Sequence, residues 1–242
     1  MRILYQDEAI VVVAKLSGML VHPNEHAQDE TTLLPLARDA SGGAHLYPVH
    51  RLDRGASGVL VLARTSAFAA ALHPQFEDGR ADKRYLAAVR GMPPDSGVID
   101  HPLPRREDGP RVPAVTEYRR LATVTVPLLP QELEREQRYS LVEAHPRSGR
   151  LHQIRRHLKH IAHPVLGDVN HGRSEHNRLC RQRFGLDRLA LHAISLSFIH
   201  PLTSAPVTFR APLPEDLVVP LRRMGFAQAI DCSDWTSPRM YP

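Results

Sequence analysis

Cysteine is almost missing from this chain: its 242 residues contain two, Cys180 and Cys232. Their spacing fits neither a redox pair nor a zinc-ligand pattern, which argues against a disulfide framework or a metal centre and leaves free thiols in a reducing compartment as the expectation. Long apolar runs are missing as well. The run Ala9 to Ala14 follows the acids Asp7 and Glu8. It is too short for a secretory core and far too short to span a bilayer. A soluble, cytoplasmic protein with no membrane partner is expected. There is no glycine-rich phosphate loop, no repeat of fixed period and no low-complexity linker, so nucleotide cofactors and repeat architectures have no support.

The composition is that of an ordinary globular protein, 42% hydrophobic and 24% charged. The length allows one large domain or two small ones with a substantial core. The net charge of +5 is unevenly placed. Between His145 and Arg183 nine lysines and arginines face two acids, Asp168 and Glu175, so that segment carries +7 and the rest of the chain −2. Seven of the fifteen histidines fall in the same window. Such a block is the footprint of a polyanion-binding face or, more plainly, a solvated charged surface.

Short β-rich runs recur at Ile10–Lys15, Gly58–Arg64, Lys83–Val89, Thr116–Thr125, Tyr139–Ala144, Ile194–Ile199 and Val207–Arg210. Helical stretches are fewer: Thr31–Asp39, Ser66–Phe76, Leu151–His160 and Glu215–Met224. Helices placed between groups of strands favour an α+β fold with a mainly antiparallel mixed sheet flanked by helices. Prolines mark the joints at Pro93-Pro94, Pro102–Pro113 and Pro127–Pro130. The Pro102–Pro113 stretch, with four prolines and five charges, reads as a mobile loop, and the tail after Phe226 as loosely packed. Residues 1–226 are expected to form a single catalytic domain, with 227–242 as a C-terminal tail.

On the helix beginning at Leu151, positions Leu151, Ile154, Leu158 and Ile161 line one apolar stripe at 100° per residue. Arg155 borders that stripe, while Gln153, Arg156 and His160 are expected on the opposite face. Arg155 is thus the arginine placed to reach into a site, or to bury its stem at the edge of the stripe. The histidines at 152, 157, 160 and 163 invite a zinc reading. His152 and His157 miss the i, i+4 spacing of helical zinc pairs, and no cysteine or nearby acid joins them, so no metal is expected.

The most informative stretch is His50-Arg51-Leu52-Asp53-Arg54-Gly55-Ala56-Ser57-Gly58, which leads into Val59-Leu60-Val61-Leu62. One carboxylate sits between two arginines at the tip of a glycine-bearing loop. Flanking cations keep such a group ionised, fit to act as nucleophile or base. An Arg-Asp-Arg surface cluster that only holds a turn has the same local pattern. A hydrolase using Ser57 is disfavoured, because the G-x-S-x-G elbow is lacking.

His-Arg-Leu-Asp followed by x-x-Ser-Gly and an aliphatic strand resembles the signature of RluA-type pseudouridine synthases. Further stretches resemble the same family in order. They are Lys15-Leu16-Ser17-Gly18 near the start, Lys83-Arg84-Tyr85, Ser148-Gly149-Arg150-Leu151-His152-Gln153-Ile154-Arg155, Pro164 to Asp168 and Leu189 to Ala193. Leu16 stands where the family usually has proline, and Ala56 and Ser148 where it usually has threonine. The resemblance spans about Met1 to Leu213.

The resemblance implies a cofactor-free isomerase acting on a flipped-out uridine. Asp53 would be the catalytic carboxylate. Tyr85 would stack on the uracil and assist removal of the proton displaced at the new carbon bond. Arg155 would pair with Asp53 and keep it charged. RNA contacts are expected from Arg51, Arg54, Arg150, His152, Arg156 and Lys159. Gln153 through Leu158, Tyr139–Glu143 and the stretch His171 to Leu186 look most like a bacterial branch that modifies uridine 65 in the T stem of tRNA. The chain begins at the catalytic domain, so no separate N-terminal RNA-binding domain is expected. No obligate protein partner is inferred, and a monomer is expected. A large-subunit rRNA substrate is the alternative. A non-catalytic RNA-binding or RNA-chaperone protein is the reading from a different class.

Overall fold

In a computed structural model, residues 1–22, 32–104, 109–127 and 136–231 are described. In chain order the elements are β1 Arg2–Gln6, β2 Ile10–Lys15, α1 Leu33–Ala40, β3 Tyr47–Pro48, β4 Ser57–Ala63, α2 Ser66–Glu77, β5 Asp82–Arg90, β6 Ser96–Asp100, β7 Leu103–Pro104 and β8 Arg111–Val112. They continue with β9 Val115–Val126, β10 Gln137–Pro146, α3 Gln153–His160, α4 Ser174–Phe184, β11 Leu191–Ile199, β12 Pro206–Arg210, α5 Glu215–Leu221 and α6 Ala227–Asp231. No helix among the described residues is long and apolar enough to cross a membrane. The described chain forms two compact units, Met1–Lys83 with Ala193–Pro212, and Arg84–His192 with Leu213 to Asp231.

In the first unit the strand order is β1-β2-β4-β11, with β12 on β11 and β3 on β4. β4 reads Ser-Gly-Val-Leu-Val-Leu-Ala and is buried at all seven positions. A central strand covered on both faces has no reason to alternate, which explains its unbroken apolar run. β2 pairs antiparallel to it from Ile10 opposite Ala63 to Lys15 opposite Gly58. That register delivers Lys15 to the end of β4 where the Asp53 loop enters. α2 starts at the cap of Thr65, whose side chain accepts from the Phe68 amide, and seats Leu72 and Phe76 in the core.

In the second unit the order is β5-β10-β9-β6, all antiparallel. β10 carries Tyr139, Leu141 and Val142 fully buried, and α3 adds Leu158 to the same core. The α+β expectation with a mainly antiparallel sheet and flanking helices holds, and each of the seven predicted strands falls on an observed one.

Four expectations are corrected. The described ends of the Pro102–Pro113 stretch are a β-hairpin, with Leu103 opposite Val112 and Pro104 opposite Arg111. Both strands of a two-stranded ladder are edge strands, where proline is tolerated, so the proline count did not forbid strands. The chain after Phe226 continues as α6 and buries Ile230 completely. Residues 232–242, with Cys232, lie outside the described residues, as does most of Pro127–Pro130. Gln153 is buried rather than solvent-facing, because its amide serves as a hydrogen-bonding hub. Finally, α4 has no counterpart among the predicted helices. Its buried positions His176, Leu179, Cys180 and Phe184 follow helical spacing, but a histidine stands for an apolar residue and arginines fill the gaps.

Candidate active site

The Asp53 loop, in the first unit, is held from below by the segment that follows β2. Lys15 is 1% exposed, and its ammonium donates to the carbonyls of Leu16 (2.9 Å), Met19 (2.7 Å) and Arg54 (3.2 Å). Ser17 Oγ donates to the Gly55 carbonyl at 2.7 Å, and the Gly18 amide to that of Arg54 at 2.8 Å. Arg54 Nε returns a bond to the Gly18 carbonyl at 3.1 Å. The Lys-x-Ser-Gly and Asp-Arg-Gly segments thus clasp each other through four bonds, one each from a lysine, a serine, an amide and a guanidinium. The Ala56 amide donates to the Asp53 carbonyl at 3.1 Å and closes a turn over Asp53–Ala56. Leu52 and Ala56 are buried anchors either side of the half-buried Asp53, while Arg51 and Arg54 are exposed. The backbone that carries the carboxylate is thereby fastened on both sides.

The loop's exit is fixed by Gly58. Its φ is +123°, and a Cβ there would lie 2.3 Å from the Ala193 carbonyl oxygen, so no other residue fits. His50 is a scaffold group. Its Nε2 accepts from the Val61 amide at 3.1 Å, and its ring stacks on Phe76 with centroids 4.5 Å apart. Burial, aided by the nearby Lys83, pushes its pKa down to about 3, so it is neutral at physiological pH.

The second unit holds Arg155 and Tyr85. Arg155, on α3, is 6% exposed and grips Asp168 with two parallel bonds, Nε to Oδ2 at 2.7 Å and Nη2 to Oδ1 at 2.8 Å. Oδ1 also accepts the amides of Asn170 (3.0 Å) and His171 (2.9 Å). Burial of Asp168 opposes its ionisation, but the Arg155 bonds and the two amides outweigh that and hold its carboxyl below the usual carboxylate range. Asn177 fastens the turn from the other side, accepting from the Gly167 amide and donating to the Asp168 carbonyl, both at 2.9 Å. Arg155 is therefore a fixed, charged, planar group.

Gln153 organises the loop before α3. Its Oε1 accepts from Ser148 Oγ at 2.7 Å and from the Arg150 amide at 3.0 Å, and its Nε2 donates to Val115 O and Thr116 Oγ1. His152 adopts a left-handed backbone (φ 52°) and sets its Nδ1 3.0 Å from Nε2 of His171. Burial pushes the His171 pKa down to about 4. His157 Nε2 donates to the His101 carbonyl at 2.9 Å while Nδ1 accepts from Thr116 Oγ1 at 2.8 Å, and His163 Nδ1 lies 2.9 Å from the Arg90 carbonyl. Among the described residues no three His, Cys, Asp or Glu side chains are placed to hold a metal ion. Tyr85 is half-buried on β5, opposite Ala144 of β10.

Of the predicted residues, the structure brings Arg51, Asp53 and Arg54 onto one loop. It also sets Arg156 and Lys159 on one face of α3. Sequence reasoning missed the roles of Lys15, Gln153, His171 and Asp168. The signal for Asp168 was an acid in a Gly-Asp turn thirteen residues after a buried arginine. No local pattern marks Lys15 as buried.

A model of the family described as RNA pseudouridylate synthase matches residues 9–160. The chain belongs to this family. The matched span contains Asp53, Tyr85 and Arg155, and an RNA pseudouridylate synthase of this kind also has relatives over nearly its full length. It is 40% identical to the tRNA pseudouridine synthase C of Vibrio cholerae over 95% of this chain and 98% of that one. The Yersinia pestis protein of the same name is 41% identical, over 87% and 86%. The human RNA pseudouridylate synthase domain containing 4 superposes with a TM-score of 0.71 at 27% identity, over 92% of both chains. Human RNA pseudouridylate synthase domain containing 1, at 23% identity and a TM-score of 0.69, shares the fold.

Proposed function

We propose that this synthase converts a uridine of tRNA, uridine 65 of the T stem, into pseudouridine, acting as a monomer in the cytoplasm without a cofactor. The observation that carries the reading is the clasped Asp53 loop, in a chain 40% identical over nearly its whole length to proteins named tRNA pseudouridine synthase C. The reaction breaks the bond between N1 and C1′, turns the uracil, and joins C5 to C1′. The C5 proton leaves and N1 gains one, so nothing is oxidised and no group is carried. Asp53 assists glycosidic cleavage, either at the sugar or at the base. Tyr85 packs on the uracil and helps take the C5 proton. Arg155, pinned by Asp168, supplies a permanent positive charge where a lysine would lack the planar fork. Arg51, Arg54, Arg150, His152, Arg156 and Lys159 meet the RNA, and residues 1–226 constitute the catalytic domain.

Incubating purified protein with unmodified tRNA transcript and locating pseudouridine by chemical mapping tests this. One new pseudouridine at position 65 is expected. Product at another tRNA position, or only in a large-subunit rRNA transcript, removes the substrate assignment. Tight RNA binding without product removes the catalytic one.

A further inference from the structure

The second unit carries a cleft of about 360 Å³ that the proposed chemistry does not use. Its floor is the α3 face bearing Arg156, Lys159 and His160, spaced three and four residues apart. Its wall is the β7–β8 hairpin with Arg111, joined by His101 and His171. Three permanent cations converge here, and no acidic side chain is among the described residues that line it. Arg111, Arg156 and Lys159 form no ion pair among the described residues. Arg156 Nη1 is enclosed and has no hydrogen-bond partner in the described structure. A shielded guanidinium N–H without an acceptor is costly unless a ligand supplies one.

The rest of the cleft is arranged around these charges. His101 stacks on His160 with centroids 3.8 Å apart and planes at 18°. Its Nε2 lies 3.3 Å from Arg111 Nη1, which orients that guanidinium. Burial, then the neighbouring His160 and Arg111, lower the His101 pKa, so its ring adds a flat polar wall and no further charge. Two forked donors and one ammonium around a small concavity suit a tetrahedral anion with several acceptor oxygens.

We propose that this cleft seats one backbone phosphodiester of the RNA substrate, gripped by Arg111, Arg156 and Lys159. The inference rests on the reading that the chain acts on RNA, and adds Arg111 and the histidine stack to its RNA-contacting surface. A seated phosphate positions the RNA without reading sequence, so the grip is the same for any base at that step.

The test is equilibrium binding of unmodified tRNA transcript to wild type, R111Q, R156Q and K159Q across a salt series. R178Q, which removes the same charge from an exposed position on α4, is the comparison. Each cleft variant is expected to weaken binding by about 5- to 20-fold and to flatten the log–log salt slope by about one. R178Q is expected to change affinity by less than about twofold, the net-charge effect alone. Equal losses in all four variants, or no loss in the three, overturn the proposal. So does competition by inorganic phosphate at sub-millimolar concentration and constant ionic strength, which identifies a site for the free anion. Arg111 and Lys159 are exposed, so their variants decide the matter if R156Q folds poorly. Pseudouridine formation by the wild type is scored separately. Isomerisation with a flat binding pattern removes the cleft alone, and the expected pattern without isomerisation removes the catalytic reading alone.

Discussion

Replacing Asp168 by asparagine isolates what holds Arg155. Asp168 is 1% exposed and Arg155 6%, so the pair is dry. The substitution keeps the shape but turns an amide N–H2 toward a guanidinium that can only donate. It also removes the charge that accepts the Asn170 and His171 amides. Removing one partner of a buried pair takes a full charge and a two-pronged contact from the other, at a cost of about 3–5 kcal/mol. For a chain of this size each kcal/mol lowers Tm by about 2–4 °C, so a fall of roughly 6–20 °C is expected. Differential scanning calorimetry at pH 7 reads it.

The pH dependence has a definite sign. The folded carboxyl titrates below the ordinary value of 3.8, so its contribution is complete above that pH and is lost as the pH falls below it through the folded value. The gap between wild type and D168N should therefore be constant from neutral pH to about 4.5 and narrow below 3.8. Activity should fall with the substitution even below its Tm, because Arg155 is no longer held in plane. A D168N protein within 1 °C of wild type at pH 7, on the scale that about 1 kcal/mol sets, would refute the reasoning.

Arg155→Lys keeps the charge but loses the two-pronged contact, and is expected to reduce pseudouridine formation by at least about 100-fold at saturating tRNA, measured as a single-turnover rate. Gly58→Ala forces a Cβ to within 2.3 Å of a backbone oxygen at a left-handed φ, and should cost about 3 kcal/mol or more, visible as a lower urea midpoint or insoluble protein. His50, with its pKa depressed to about 3, stays neutral when folded and takes a proton when unfolded; stability should fall as pH drops from 6.5 toward 3, by up to about 1.4 kcal/mol per pH unit, and His50→Gln should flatten that slope in urea titrations.

The strands were legible because their signals are local. β2 and β4 are unbroken aliphatic runs, and both were located to within a residue. Arg155 was legible as the buried arginine because the apolar stripe of α3 is regular. Gln153 was not, since helical periodicity treats every amide as solvent-facing until a neighbouring strand offers Val115 and Thr116 as partners. Lys15 shows the same limit. A terminal lysine on a strand looks like a polar end, and only the antiparallel register that sets it against Gly58 surrounds its ammonium with three carbonyls. α4 was hidden by its arginines, and the β7–β8 hairpin by its prolines. Asp53 itself was legible by motif, whereas the clasp that aims it comes from residues more than thirty positions earlier.

Tritium release tests the central claim most directly. With a tRNA transcript carrying tritium at uracil C5, joining C5 to C1′ expels the label into water only at the isomerised position. Wild type should release one tritium per tRNA, and Asp53→Asn none, while Asp53→Asn binds the transcript with a Kd within about threefold of wild type. Release by Asp53→Asn at a rate near that of wild type would contradict the assignment of the catalytic carboxylate.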